Sequence, residues 1–338
     1  MGSNQELPKV LLLGVIEHAH SAWASIREIA EVLTPKSTNR ADFLEEAASG
    51  AFEGCIAAYR TFDSFEVTGK VDDELLTALP ASLRFICHNG AGYDQVDVQA
   101  CTARGVRVSN TPTAVDDATA DIGIFLLLGA LRNLAVGMAS LRAGEWRGKP
   151  PPALGHDPQG KVLGILGMGG IGRNMARKAL AFGMKIRYHN RTRLDPGLEK
   201  DLEAEYVSFD ELLGRSDVLS LNLPLNPHTR HIISRREFAK MKKGIVIVNT
   251  ARGAVIDEAA LVEALDSGQV AAAGLDVYEQ EPSIHPGLLA NPRLLLVPHM
   301  GTWTVETETK MEEWAISNVR AAIESGRLRS IVPEQRDM

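Results

Sequence analysis

Two series of short apolar runs, separated by helical patterns, constrain the fold of this 338-residue chain most strongly. The first series predicts strands at 9–15, 54–59, 83–89 and 106–110, and the second at 161–167, 184–189, 218–223, 244–250, 271–277 and 293–299. Their nearly continuous Val, Ile and Leu content is typical of parallel sheets that helices cover on both faces. We therefore predict an α/β protein with two doubly wound parallel-sheet domains.

The segment between the two series is apolar almost all round. The sequence predicts one long helix over 116–144, followed by a Pro/Gly-rich arm over 145–160. A helix without a polar face has to be buried, so we expect it to lie between domains or against a second subunit. An amphipathic helix over 311–328 should return to the first domain. These boundaries assign residues 1–115 and 306–338 to one domain and residues 116–305 to the other.

The composition excludes several classes of function. The net charge of −7 argues against a nucleic acid or an anionic membrane as the main partner. No apolar run approaches the roughly 20 residues of a membrane-spanning helix, and the N-terminal sequence lacks the pattern of a secretory signal. Cys55, Cys87 and Cys101 have no metal-like spacing and are expected to be reduced thiols. We therefore expect a cytoplasmic protein that holds no metal.

A glycine-rich turn follows the first strand of the second series. Gly167, Gly169 and Gly172 form the pattern G-x-G-x-x-G between a strand and a helix. In that context the first glycine permits a tight turn, the second lets the backbone approach a pyrophosphate, and the third lets the helix pack on the strand. Gly170 and Ile171 open the helix whose N–H groups would face the phosphates. The sequence therefore predicts a dinucleotide-binding domain.

The end of the next strand indicates which dinucleotide is bound. An NAD-binding domain usually carries an acid there, which accepts hydrogen bonds from the adenosine ribose, but this chain has Asn190, Arg191, Thr192 and Arg193. A carboxylate would repel a 2′-phosphate, whereas an arginine binds it with two hydrogen bonds. We therefore predict NADPH in preference to NADH, with a solvated surface turn as the alternative. Asp195 lies too far along the chain to be the usual ribose acid, unless the loop folds back.

Polar side chains follow three later strands of the second series. Arg252 comes just after one strand, Glu279 and Glu281 follow the next, and His299 ends the third. Ligands bind at the carboxyl ends of the strands in a doubly wound sheet. An arginine, an acid and a histidine at one edge would form a proton-handling set beside a nicotinamide.

These motifs occur together in a known family. GMGGIG, VNTARGAVID, GLDVYEQEP and PHMGTWT, with the earlier NGAGYDQVD and VSNTP, resemble the motifs of the D-isomer-specific 2-hydroxyacid dehydrogenases over about residues 54–320. Within that family the chain is most similar to the glyoxylate/hydroxypyruvate reductases, partly through the turn HNRTR. The resemblance implies a Rossmann cofactor domain and a flavodoxin-like substrate domain.

The resemblance also implies roles for the residues at the strand ends. Arg252 would hold the carboxylate and the carbonyl oxygen of the substrate, and His299 would protonate that oxygen as hydride arrives. Glu281, which precedes a proline, would orient His299 and is selected by the family pattern over Glu279. Reducing a carbonyl builds negative charge on oxygen, which a cationic acid both stabilises and discharges. Taken singly, these residues could instead be a phosphate contact, a surface acid and a capped core histidine.

Further residues match ligand-binding positions of the family. Backbone N–H groups of the turn Gly90–Ala91–Gly92 would hold the substrate carboxylate, unless this is a plain loop. Asp276 would meet the nicotinamide amide. The positions that line the cofactor in relatives are Thr119, Leu223, Pro224, Thr250 and Asp276.

Three residues have less settled roles. Trp303 follows His299 where many relatives carry a small residue, and it could wall the substrate pocket or pack between domains. Trp146, in the arm, resembles a tryptophan that reaches the neighbouring subunit's site in glyoxylate reductases. Arg60, which follows a predicted strand of the first domain, could add a cation to the cleft.

Together these features predict an NADPH-dependent reductase of small 2-oxoacids, such as glyoxylate and hydroxypyruvate, that acts as a homodimer through the 116–144 helix and the arm. One alternative is a dehydrogenase for bulkier aromatic or branched 2-oxoacids. Another is a dinucleotide-sensing co-repressor, which would require a long disordered tail or a peptide-binding groove. The sequence indicates neither feature. A formate dehydrogenase is disfavoured, because such relatives replace the acid at Glu281 with an amide.

Overall fold

A computed structural model describes residues 7–337 of the chain, which form two compact units. The first unit combines the chain up to Val115 with the chain from Thr304 onward, and the second is Asp116–Trp303. Residues 1–6 and 338, which the predicted first domain includes, lie outside the described residues.

Each unit is built on one sheet in which every strand pairing is parallel. The strands of the first sheet are β1 (Lys9–Leu13), β2 (Glu31–Leu33), β3 (Cys55–Thr61), β4 (Phe85–Asn89) and β5 (Arg107–Ser109). Those of the second are β6 (Val162–Leu166), β7 (Lys185–His189), β8 (Ala204–Tyr206), β9 (Val218–Leu221), β10 (Ile245–Asn249), β11 (Val270–Leu275) and β12 (Leu294–Leu296).

The strand orders confirm the predicted fold class. The first sheet runs β2-β1-β3-β4-β5, which is the flavodoxin-like order, and the second runs β12-β11-β10-β9-β6-β7-β8. In the second sheet the order in which successive strands are added reverses between β6 and β9, as in dinucleotide-binding domains.

Helices connect the strands. In chain order they are α1 (His20–Arg27), α2 (Arg40–Ala48), α3 (Phe65–Thr68), α4 (Asp73–Ala78), α5 (Val98–Ala103), α6 (Asp116–Leu131), α7 (Leu134–Arg142), α8 (Gly170–Ala181), α9 (Pro196–Asp201), α10 (Phe209–Arg215), α11 (Arg235–Phe238), α12 (Glu258–Asp266), α13 (Pro286–Leu289) and α14 (Val305–Ser325). Short 3-10 turns occur at Gly253–Val255 and Pro333–Gln335.

Both faces of the second sheet are buried. In β10, Ile245 and Ile247 belong to the apolar core on one face, whereas Val246 and Val248 belong to the core on the other. Successive side chains of a strand point to opposite faces, so a strand covered on both sides is apolar at nearly every position. This is why the strands of this chain are nearly continuous apolar runs.

The prediction of one long helix over 116–144 is wrong. The chain forms α6 and α7, whose axes differ by 79°. Between them Asn133 takes a left-handed conformation, with φ 52°, and its side chain donates a hydrogen bond to the Ala153 carbonyl (3.0 Å). The His156 N–H donates to the Leu131 carbonyl at the end of α6 (2.8 Å). The arm therefore satisfies polar groups where the helix breaks.

Helix α6 is buried by its own unit, where it packs on α8, β10 and β11. The contact with β11 is close, because a Cβ on Gly274 would lie 2.6 Å from the Leu126 Cβ and 2.9 Å from the Leu126 carbonyl oxygen. The apolar character of α6 thus needs no second subunit. Among the described residues no single helix is long and apolar enough to span a membrane, although the bent α6–α7 pair would be by length and composition alone.

Helix α14 belongs to the first unit, where it packs on β3 and β4. Its buried Glu312 accepts hydrogen bonds from the N–H groups of Glu17 (2.8 Å), His18 (2.9 Å) and Ala19 (2.6 Å), where α1 begins. Charge-assisted bonds of this kind are stronger than neutral ones. The carboxylate therefore caps α1 in place of a local Ser or Asp.

The three cysteines are unpaired and buried, as expected for reduced thiols. Burial raises the pKa of Cys55 to about 11 and those of Cys87 and Cys101 to about 12. The groups therefore stay protonated and unreactive at neutral pH.

The close approach of α6 to β11 gives a stability prediction. In Gly274→Ala the new methyl group has to displace the backbone of α6, and overpacking of this kind costs about 1–3 kcal/mol. The matched control is Gly214→Ala in α10, where the nearest contact would be 3.8 Å away, and it should stabilise by about 0.5–1 kcal/mol. Guanidinium chloride titrations followed by tryptophan fluorescence measure both free energies of unfolding. A Gly274→Ala value equal to that of the wild type would contradict the contact.

Candidate active site

Three candidate side chains of the second unit follow three adjacent strands. Arg252 comes three residues after β10, Glu281 six after β11 and His299 three after β12. Because β10, β11 and β12 are neighbours in a parallel sheet, their carboxyl ends lie at the same edge. That edge is where ligands bind in folds of this class.

His299 and Glu281 form a hydrogen-bonded pair. The His299 Nδ1 lies 2.8 Å from the Glu281 Oε2, and the other carboxylate oxygen accepts from the Tyr278 N–H (2.8 Å). Burial tends to raise the pKa of Glu281, but the bonds from His299 and Tyr278 and the charge of Arg252 outweigh it and lower that pKa. An ionised carboxylate only accepts, so Nδ1 donates to it. Nε2 is then the ring nitrogen that can carry a transferable proton.

Hydrogen bonds to Asp276 fix the backbone around His299. His299 has a left-handed φ of 52°, and its N–H donates to the Asp276 carbonyl (2.8 Å). The Asp276 carboxylate, 1% exposed, accepts from the N–H groups of Met300 (2.5 Å) and Gly301 (2.9 Å). Burial raises the pKa of Asp276, and these bonds oppose the shift. Asp276 therefore holds the segment that carries His299, and its predicted contact with nicotinamide stays a prediction.

Arg252 is positioned by its neighbours in the chain. The Asn249 side chain donates to the Arg252 carbonyl (2.9 Å) and accepts from the Ala251 N–H (3.0 Å). At Gly253 a Cβ would lie 1.8 Å from the Tyr278 carbonyl carbon, so only glycine permits this approach. The approach brings Arg252 beside the loop that contains Glu281, whose pKa it lowers. The structure thus brings the arginine, the acid and the histidine together.

The second acid of the motif is engaged elsewhere. Glu279 Oε1 lies 2.6 Å from the Arg230 Nη2 and 2.7 Å from the His231 Nε2. It is therefore Glu281, as the sequence pattern indicates, that meets His299.

The glycine-rich turn has the geometry that its sequence predicts. Gly167 has φ 97°, and a Cβ on Gly172 would lie 2.3 Å from the Gly167 carbonyl oxygen, so α8 packs tightly on the turn. Gly169 is the N-cap of α8, and a Cβ there would meet nothing within 4 Å. The turn is thus open on the side of Gly169. Ile171, partly buried, packs on the apolar core.

Asp116 is a neighbour of this turn that the sequence analysis missed. A Cβ on Gly170 would lie 1.9 Å from the Asp116 Oδ2, so the carboxylate packs directly against the first residue of α8. Burial raises the pKa of Asp116, while Arg173 opposes the shift. No local pattern could have indicated this contact, because the two segments are far apart in the chain.

The residues after β9 and β10 leave polar atoms for a ligand. Thr250 is 6% exposed, and neither its hydroxyl nor the buried Asn222 Oδ1 has a hydrogen-bond partner among the described residues. Leu223 and Pro224 follow Asn222 directly. Buried polar groups are seldom left unpaired, so these atoms fit a bound polar cofactor. Together with the open glycine turn they fit a nicotinamide dinucleotide, which Thr119, buried near Gly301, would also line.

In the turn after β7, Asn190 and Asp195 make structural hydrogen bonds, whereas Arg191 and Thr192 are exposed. Asn190 Oδ1 accepts from the Met168 N–H (2.7 Å), which ties this turn to the glycine-rich one. Arg191 and Thr192 are exposed, and Arg191 makes no ion pair or hydrogen bond within residues 7–337. Asp195 caps α9 by accepting from the Gly197 N–H (2.8 Å).

Arg193 is exposed like Arg191, but its guanidinium is engaged within the protein. Its Nε and Nη2 donate to both carboxylate oxygens of Glu199 (2.8 and 2.7 Å), and its guanidinium stacks on Tyr206. The bonds from Arg193 and from the Tyr188 hydroxyl lower the pKa of Glu199 to about 2. Because both of these Arg193 nitrogens already donate to Glu199, Arg191 is the arginine of this turn that is left without a partner in the described chain.

The remaining candidates lie in other places. The turn Gly90–Gly92 follows β4 in the first unit. Trp303 ends the second unit with 69% of its surface exposed, and Trp146 in the arm is 71% exposed. Neither indole contributes to a core.

Comparisons with known proteins agree with this site. A family model described as D-isomer specific 2-hydroxyacid dehydrogenase, NAD binding domain, matches residues 124–301. The 4-methyl-2-oxopentanoate reductase A of Aspergillus oryzae is 57% identical over 332 residues, which cover 98% of this chain and 100% of that protein. Glyoxylate reductase 1 of Saccharomyces cerevisiae is 46% identical over 334 residues, 97% of this chain and 95% of that one.

A solved structure extends the likeness to three dimensions. The crystal structure of a glyoxylate reductase from Paecilomyes thermophila matches with a TM-score of 0.94 at 56% identity, and covers 98% of this chain and 99% of that one. The family model spans more than half of the chain, and the relatives align over almost their full length. The chain therefore belongs to the D-isomer-specific 2-hydroxyacid dehydrogenase family and is an oxidoreductase that uses a nicotinamide dinucleotide.

Proposed function

We propose that the protein reduces small 2-oxoacids, with glyoxylate and hydroxypyruvate as the expected substrates, and that NADPH is its preferred reductant. The observation that carries the proposal is the His299–Glu281 pair beside Arg252 at one edge of the second sheet. The names of two relatives, both glyoxylate reductases, support the substrate class.

The side chains divide the chemistry between them. Bound reduced nicotinamide supplies the hydride for the carbonyl carbon of the substrate. The Arg252 guanidinium attracts the carboxylate of a 2-oxoacid and the oxygen on which negative charge builds. His299 gives that oxygen a proton from Nε2, and Glu281 orients the ring through its hydrogen bond to Nδ1. The Gly90–Gly92 turn would bind the carboxylate through backbone N–H groups.

The preference for NADPH rests on the turn after β7. It carries no carboxylate at Asn190, and the exposed Arg191 and Thr192 are free of structural partners within the described chain. A phosphate on the adenosine ribose would find a guanidinium and a hydroxyl there. The nearby Asp195 is occupied as the cap of α9.

A homodimer is part of the proposal. Helix α7 has no buried residue, and Leu134, Met138 and Leu141 are each more than two-fifths exposed. Leu154 and Trp146 of the arm are exposed as well. An apolar surface of this kind is typical of a subunit contact.

A reductase for bulkier 2-oxoacids is the second candidate. It is favoured by the relative of 57% identity, which is named for a branched 2-oxoacid. The exposed Trp303 could serve either reductase, as a wall that restricts the substrate side chain or as an apolar surface that binds it.

A substrate panel decides between these two functions. We expect NADPH oxidation with glyoxylate and hydroxypyruvate to exceed that with 4-methyl-2-oxopentanoate in kcat/KM. Pockets that differ by one or two methylenes discriminate by roughly 10–200-fold, so the ratio should be easy to measure. A ratio in favour of 4-methyl-2-oxopentanoate would replace the first candidate with the second. Failure to oxidise NADPH or NADH with any 2-oxoacid would reject both.

The role of His299 is tested by His299→Ala. Loss of a general acid should lower kcat by roughly 10²–10⁴-fold. NADPH affinity, followed by nicotinamide fluorescence, should stay within about twofold, because binding does not need this proton. Glu281→Gln is the matched variant: it keeps an acceptor for Nδ1 but removes the negative charge, so kcat should fall less than in His299→Ala while NADPH affinity is kept. The pKa of Glu281 is lowered in the folded protein, so this carboxylate is ionised at neutral pH. The substitution therefore removes one negative charge under the assay conditions. If His299→Ala kept turnover within a few-fold of the wild type, the assignment would be wrong.

The role of Arg191 is tested by Arg191→Ala. Loss of a charge-assisted bond to a phosphate should raise the KM for NADPH by roughly tenfold or more and leave that for NADH almost unchanged. Arg193→Ala is the control, because its partner is Glu199 and it should lower the melting temperature without changing the ratio of the two KM values. Equal effects of Arg191→Ala on both cofactors would contradict a phosphate contact.

A further inference from the structure

Arg60 is the largest side chain that the structure buries completely. It lies within β3, with an exposed fraction of 0%, so it is not the cleft cation that its sequence position suggested. Its Nε and Nη2 have no hydrogen-bond partner among the described residues. Burial lowers the pKa of Arg60 to about 10, an effect that Asp94 opposes, so the side chain stays cationic at neutral pH. A buried cation with two unpaired nitrogens is costly and requires an explanation.

The remaining nitrogen of Arg60 contacts a histidine on the next strand. Arg60 and His88 are register partners in β3 and β4, and Arg60 Nη1 lies 3.2 Å from the His88 Nδ1. A guanidinium can only donate, so Nδ1 is the acceptor and carries no proton. The His88 Nε2 then carries the proton, and it lies 3.0 Å from the Gly92 carbonyl oxygen, which can only accept. The two partners thus select the neutral Nε2–H form of His88.

This histidine completes a set of bonds behind the Gly90–Gly92 turn. The Gly90 carbonyl accepts from the Thr111 N–H (3.0 Å), and the Ala91 carbonyl accepts from the Asn110 side chain (2.8 Å). The Gly92 carbonyl accepts from His88, so three consecutive carbonyl groups are all held by the scaffold. A Cβ on Gly90 would lie 2.6 Å from the His88 Nε2, so the ring packs directly beneath the turn.

The opposite side of the turn is left to its amide groups. The N–H groups of Ala91 and Gly92 donate to no acceptor within residues 7–337. Because peptide planes are rigid, fixing consecutive carbonyls also fixes the direction of the N–H groups between them. A turn with fixed amides and a buried cation behind it favours an anion.

We propose that Arg60 and His88 are positioning residues for the substrate: His88 holds the Gly90–Gly92 turn so that its N–H groups bind the 2-oxoacid carboxylate, and the buried charge of Arg60 strengthens that binding. This inference rests on the proposed reduction of 2-oxoacids and deepens it. The bound carboxylate would add to the negative charge of Asp94, which already acts on Arg60.

We call the chain of contacts from Arg60 through His88 to the Gly90–Gly92 turn the relay. It is tested by Arg60→Met, which removes the charge, and by His88→Leu, which removes the hydrogen bonds; both substitutions roughly keep the side-chain volume. Both should raise the KM for glyoxylate and the inhibition constant of oxamate by roughly tenfold to a hundredfold, the usual effect of losing charge-assisted bonds. The KM for NADPH and kcat should change far less. The factor should be the same for glyoxylate and for 4-methyl-2-oxopentanoate, because both have the carboxylate in common.

Two further variants separate positioning from loss of structure. His88→Gln can accept from Arg60 and donate to Gly92, so it should restore the KM to within about threefold of the wild type. Cys87→Ala changes the neighbouring buried residue of β4, on the opposite face, and should leave the KM unchanged. An equal rise in Cys87→Ala, or no rescue in His88→Gln, would overturn the proposal.

Calorimetric titration of oxamate into each protein with NADPH present keeps this test independent of turnover. If the wild type reduced no 2-oxoacid, the proposed function would fail, yet oxamate binding that weakens tenfold or more in Arg60→Met would still support the relay. Unaltered oxamate affinity in both Arg60→Met and His88→Leu would reject the relay, whatever the substrate panel shows.

Discussion

Burial of both faces of each sheet is the constraint on which the rest of the structure depends. Within β10, alternate residues such as Ile247 and Val248 enter separate apolar cores, so the strand is apolar from Ile245 to Val248. The arginine, the acid and the histidine of the candidate site all follow strands of the second sheet. Arg252, Glu281 and His299 meet because β10, β11 and β12 are neighbours that end at the same edge.

The sequence predicts most of the fold, because strands buried on both faces are conspicuous as apolar runs. The two strands that were not predicted, β2 and β8, are three-residue strands at sheet edges, and neither contains a fully buried residue. The helix break at Asn133 was missed for another reason. Its left-handed conformation is stabilised by a bond to Ala153, a contact that no local pattern encodes.

The candidate site divides in the same way. The arginine and the histidine could be predicted from residue type and position after a strand, whereas the choice of Glu281 over Glu279 depended on the resemblance to the family. Arg193 could not be distinguished from Arg191 by the sequence, because only the folded loop shows that Glu199 takes up its guanidinium. Asp116 contacts Gly170, and Glu312 accepts a hydrogen bond from Glu17, which is 295 positions away in the chain. Such contacts are properties of the tertiary structure.

In the proposed function, the two glycine-rich turns bind anions in two different ways. In the second unit, Asn190 takes up the Met168 N–H, and the chain then enters the twelve-residue helix α8, whose dipole favours an anion at its start. The Gly90–Gly92 turn has no such helix, since α5 begins only at Val98. Successive backbone N–H groups can bind an anion by themselves, and a nearby positive charge strengthens that binding. A cation exposed to solvent would be screened and mobile, whereas Arg60, buried within β3 and linked to the turn by His88, acts through a medium of low polarity.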